Sequence, residues 1–129
     1  MGLLALFAKR LAPRQGHDAE FTLVYTPPDG QVVRVGTLRF DQGFWTFAYT
    51  DEYKNHHDFR PLEGFDDVDR VYRSRVLFPF FSVRLPPKSR PDIRRELVTQ
   101  HLEDADSVDL LRVFGRKAAS SPAFELIAS

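Results

Sequence analysis

The sequence has no cysteine, only seven glycines and one tryptophan in 129 residues, and no excess charge of either sign. Without thiols there is no disulfide framework, no thiolate zinc site and no cysteine nucleophile, which fits a reducing compartment. Eighteen Lys and Arg balance eighteen Asp and Glu, so no global field draws the chain to nucleic acid or to an anionic membrane. Long apolar runs are also lacking. The stretch from Gly2 to Ala8 falls well short of the roughly 20 residues that span a bilayer, and Lys9, Arg10 and Arg14 follow it where a signal peptide would place its charges first. Export is not expected, and residues 1–18 read as an amphipathic or frayed segment ahead of a single domain over 19–129. What is plentiful is aromatic: twelve Phe, and 13% aromatic residues overall. With 43% hydrophobic and 28% charged residues, the chain reads as a folded domain with a ring-rich core.

Alternation organises the first half. Phe21, Leu23 and Tyr25 interleave with Thr22, Val24 and Thr26, and the run stops at Pro27-Pro28-Asp29-Gly30, a turn sequence. In the next run, Val33 and Val35 share one phase while Leu38 and Phe40 share the other, with Gly36 between them. A period-2 pattern that changes phase at a glycine predicts a β-bulge. Asp41-Gln42-Gly43 turns the chain into Phe44 to Thr50, where Trp45, Phe47 and Tyr49 lie on one face, so the three runs read as an antiparallel meander. Residues 51–69 carry seven carboxylates against Lys54 and Arg60 and read as a solvated excursion. Val71 to Phe78 alternates again and reads as a further strand, which Pro79 ends. Ser89 and Asp92 suggest an N-cap pair for a helix that carries Ile93, Leu97, Val98 and Leu102, and Asp106 with Asp109 repeats that logic for a second helix ending at Gly115. A last strand is expected over 123–127. Strands followed by helices predict an α+β fold: an antiparallel β-meander sheet followed by two to three short helices packed on it. In that fold Val33, Leu38, Phe40 and Phe47 lie under helices at 91–102 and 107–114.

The chemistry-bearing patterns are few. The adjacent pair His56-His57 stands near carboxylates, but neighbouring side chains on an extended backbone point apart, and neither His17 nor His101 has ligand spacing, so no metal site is expected. There is no strained Gly-x-Ser-x-Gly elbow and no glycine-rich loop opening a helix, which leaves serine catalysis and nucleotide binding unsupported. No cofactor and no enzymatic activity are expected. Charge does segregate: Arg70, Arg73, Arg75, Arg84, Lys88, Arg90, Arg94 and Arg95 stand against the single acid Asp92, and are threaded by Phe78, Phe80 and Phe81. Three uses are open. The arginines can neutralise the acidic 51–69 excursion internally, meet an acidic protein surface, or grip phosphates while rings stack on bases, as in a nucleic-acid-binding module over 70–95.

The segments Val35 to Leu38, Phe44-Trp45-Thr46-Phe47-Ala48-Tyr49, Tyr72 to Phe81 and Leu110 to Arg116 together resemble the amino-terminal domain of HipA-type serine/threonine kinases, the toxin kinases of bacterial toxin-antitoxin modules. Two stretches depart from the family pattern: Arg84-Leu85-Pro86-Pro87-Lys88 stands where Leu-Leu-Pro-Glu-Gly is usual, and Lys117 to Pro122 stands where glycines are usual. The resemblance, over about 20–127, implies a domain without the ATP-binding lobe, which in the family lies in later domains. It also implies a partner. In some operons such a domain is a separate small protein that restrains a shortened kinase, alongside a helix-turn-helix DNA-binding protein. The implied role is a cytoplasmic, non-catalytic, antitoxin-like regulatory subunit that makes no direct contact with nucleic acid or membrane. Its candidate partner-binding residues are Arg73, Arg75, Phe80, Phe81 and Arg84, with core packing the competing role for the two phenylalanines.

Overall fold

The computed structural model describes residues 18–87, 89–102, 105–118 and 122–129. The expected amphipathic or frayed amino-terminal segment lies outside them, apart from Asp18. Five strands, β1 (Ala19–Tyr25), β2 (Val33–Asp41), β3 (Phe44–Tyr49), β4 (Tyr72–Ser74) and β5 (Phe124–Ala128), form one antiparallel sheet in the order β4-β3-β2-β1-β5. Four short helices are seen among the described residues: α1 (Asp51–Lys54), α2 (Pro79–Ser82), α3 (Pro91–Thr99) and α4 (Ser107–Phe114). This is the expected α+β fold, with an additional helical turn contributed by 51–54.

Local chemistry explains the meander. At Pro27 to Gly30 the Gly30 N–H donates to the Pro27 carbonyl at 2.8 Å, closing a turn that proline and glycine both favour. Gln42 and Gly43 both have positive φ, 51° and 82°, the two-residue hairpin whose twist matches the strands it joins. Opposite Leu23 and Val24, the β1–β2 register slips so that Leu23 faces Gly36 and Val24 faces Arg34. Val35 is the extra residue, and both Val35 and Gly36 are buried. The bulge thus falls where the hydrophobic phase changes, and it keeps Val33, Val35 and Leu38 all on the core side.

That side is covered differently from the expected arrangement. Residues 51–69 are not simply a solvated excursion: Tyr53, Leu62 and Phe65 are buried against the sheet. Phe65 is a hub, its ring centre 4.5 Å from that of Phe47 and 5.0 Å from that of Tyr72. The carboxylates of this stretch occupy the outward positions between irregularly spaced rings, so no period betrayed the inward ones. The Tyr49 hydroxyl, buried below, donates to the Phe65 carbonyl at 2.7 Å and accepts the Leu62 N–H at 2.8 Å, tying the segment down.

The helices divide between two cores. Phe81 of α2 and Val108 and Leu111 of α4 join the main core. Helix α3 does not lie on the sheet as expected: Ile93 and Leu97 pack with Ala105 and Leu110 in a second small cluster, so α3 rests on the back of α4. Its start also differs. Pro91 takes the first helical position, which makes Arg90 the N-cap, without a side-chain cap bond; Ser89 is one residue too early, and the Arg90 guanidinium instead holds Asp92. The expected capping box of α4 is present, Asp106 accepting the Asp109 N–H at 3.0 Å. Gly115 terminates α4 at φ −83° rather than in the left-handed region, its small size being needed against Leu111.

Candidate functional site

Strand β4 lies at one margin of the sheet, where the Arg-rich segment begins. Tyr72 faces the core, paired with Phe47 and packed on Phe65, so strict alternation sends Arg73 to the opposite, solvent-facing side. Arg73 pairs with Thr46, and its diagonal neighbour on that side is Phe44, within reach of a long side chain. The Arg73 guanidinium carbon sits 3.6 Å above the Phe44 ring centre and that of Arg75 at 4.9 Å. One ring thereby holds two guanidinium groups, each contact contributing about 0.5–1 kcal/mol at an exposed site. Among the described residues neither arginine makes an ion pair. Internal neutralisation of the acidic excursion is therefore not what these two side chains do. Within that excursion, Asp51 and Asp69 meet Lys54 instead.

Arg84 has a different fate. It is 6% exposed, and its Nε donates to the Gly115 carbonyl at 2.8 Å while Nη2 reaches the carbonyls of Arg116 at 2.9 Å and Phe124 at 2.8 Å. Burial pulls its pKa down, and the Glu125 carboxylate opposes that shift. A guanidinium that donates to three main-chain carbonyls joins the end of α2 to the end of α4 and to β5. Phe81, fully buried among Phe47, Phe65 and Phe80, is likewise interior. Phe80 is half-buried and packs on Phe65 and Phe124, on the core side of the sheet. There, with Glu63, Phe65, Phe78, Pro79 and Val83, it lines a mainly apolar groove of about 580 Å³. The five sequence-derived candidates thus do not converge: Arg73 and Arg75 share the solvent side, Phe80 borders a groove on the other, and Phe81 and Arg84 are inside.

Phe44 itself was not among the candidates. Its signal was available, since it is out of phase with the core triplet Trp45, Phe47 and Tyr49 and so belongs outside. The exposed valines Val71 (64%), Val76 (72%) and Val83 (69%) were also unmarked, because a lone valine carries no sign of which way it faces.

His56 and His57 depart from expectation. The chain turns after α1 instead of extending, so the two rings stack with centres 4.4 Å apart and planes 30° apart, and ligating atoms of His56, His57 and Asp58 gather within 4.8 Å. Within this group His56 Nδ1 already accepts the Asp58 N–H at 3.1 Å, which occupies the lone pair of that nitrogen.

No helix among the described residues is long and apolar enough to cross a membrane. In comparisons with known proteins, no curated protein and no solved structure matches the chain. The family model described as the HipA N-terminal domain matches residues 30–119, a span running from the first hairpin turn through the sheet, the Phe65 hub and the arginine-bearing edge to the end of α4. Covering most of the chain, that match carries the conclusion: this protein belongs to the HipA N-terminal domain family.

Proposed function

We propose that this chain is a non-catalytic docking subunit for a HipA-type serine/threonine kinase encoded beside it, acting in the manner of an antitoxin, with a helix-turn-helix DNA-binding protein as a further member of the assembly. The single observation that carries this reading is the pair Arg73 and Arg75. Both are held on Phe44 without a carboxylate partner among the described residues, on a chain whose resemblance to HipA-type kinases implies a kinase as its neighbour. An arginine prepaid in orientation and lacking an acid is poised to meet one on another surface. Base stacking is a poorer use of the site, because the Arg73 guanidinium already covers the Phe44 face.

The test is co-purification of the neighbouring kinase with wild type, Arg73→Glu and Arg75→Glu. Charge reversal at a buried contact weakens the complex by about 2–5 kcal/mol, while thermal stability changes by about 0.5 kcal/mol or less beyond the lost ring contacts. A wild-type chain that retrieves no kinase, or reversals that retrieve it undiminished, overturns the proposal.

A further inference from the structure

The two margins of the sheet are finished differently. Along β5 two outward main-chain groups are occupied: the Leu126 N–H donates to the Arg116 carbonyl at 2.9 Å and the Phe124 carbonyl accepts from Arg84. Along β4 no main-chain bond beyond the ladder with β3 reaches Val71 to Arg75 among the described residues. An open strand margin is a template for another strand unless something discourages it. Here the flanking side chains select what it accepts. Arg70, Arg73 and Arg75 are exposed, none makes an ion pair among the described residues, and no acidic residue occurs between Arg70 and Asp92. Val71 and Val76 stand exposed at either end. A second copy of this chain would set arginine against arginine across the new ladder, which is repulsive.

We propose that the β4 margin binds an extended, acidic segment of a partner protein by strand addition, its main chain pairing with β4 and its carboxylates meeting Arg73 and Arg75. The inference rests on the docking reading for the identity of the partner, and it deepens that reading by stating how the contact is made.

Two measurements separate the two ideas. In the first, hydrogen exchange is followed on the chain alone and with the neighbouring kinase; the expected result is slowed exchange of the Val71 to Arg75 amides. If the complex forms with that stretch unprotected, strand addition is wrong while docking stands. In the second, the isotopically labelled full chain is titrated with the synthetic peptide Glu-Val-Glu-Val-Asp-Val, which needs no kinase. Amide shifts confined to β4 and its neighbours on β3 are expected, with affinity reduced about tenfold or more by Arg73→Glu with Arg75→Glu and absent for the matching Lys peptide. No saturable binding, shifts confined to the Phe78 to Val83 groove, or equal binding of the Lys peptide overturns strand addition whatever the kinase does. Tighter binding of single-stranded oligonucleotide than of the acidic peptide overturns it in favour of nucleic acid.

Discussion

Replacing Arg84 by Met decides whether this arginine belongs to the scaffold or to a docking surface. Met keeps the stem volume and removes the guanidinium, so the carbonyls of Gly115, Arg116 and Phe124 each lose a donor. A hydrogen bond from a charged donor contributes about 1.5–3 kcal/mol, so three would sum to roughly 4–9 kcal/mol. Two effects reduce that sum. The buried charge no longer has to be held out of water, and the carbonyls of Arg116 and Phe124, near the surface, can recover water. The expected net loss is about 3–5 kcal/mol, the usual cost of breaking a buried charged network, or about 10–20 °C in melting temperature for a domain of this size. Arg84→Lys should fall between, since a single ammonium cannot span three carbonyls. Urea unfolding followed by Trp45 fluorescence measures this directly, with an unchanged denaturant slope showing that the same surface unfolds. A midpoint within the error of wild type, together with loss of kinase capture, would refute the structural role and return Arg84 to the interface.

Gly36→Ala places a methyl group 2.5 Å from the Phe47 ring tip and 2.7 Å from the Ala48 carbonyl; since main chain is one of the obstacles, a loss of about 1–3 kcal/mol is expected in urea unfolding. Leu97→Ala should cost about 2–5 kcal/mol yet leave the native emission of Trp45 unaltered, because Leu97 belongs to the α3–α4 cluster and Trp45 to the main core; an unchanged midpoint would remove Leu97 from that cluster. Burial pushes the Tyr49 hydroxyl up to about 12 from 10.0. The folded state then holds this proton while the unfolded state releases it, so stability is retained below pH 10 and declines as pH rises from there toward 12. Phenolate absorbance should show Tyr49 ionising after the exposed-type range, and a Tyr49→Phe variant should lose that part of the alkaline decline.

Some features were determined by the chain alone. The alternation of Phe21, Leu23 and Tyr25, the phase change at Gly36, the Gln42-Gly43 turn and the Asp106 capping box are local: neighbours within a few residues select each conformation, so the meander, its bulge and the start of α4 were legible. The surplus of arginine over 70–95 was legible for the same reason, as a composition. What each arginine does was not. Arg73, Arg75 and Arg84 are alike in sequence, yet two stack on Phe44 in solvent and one is buried against three carbonyls contributed from 31 to 40 residues away. That difference depends on which side of the sheet each side chain leaves and on where the ends of α4 and β5 arrive, which is long-range geometry without a local signal. The same holds for Phe65. Surrounded in sequence by carboxylates, it looked like part of a solvated loop, and only the concave space above Phe47, enclosed by α2 and Tyr72, made it the centre of the core.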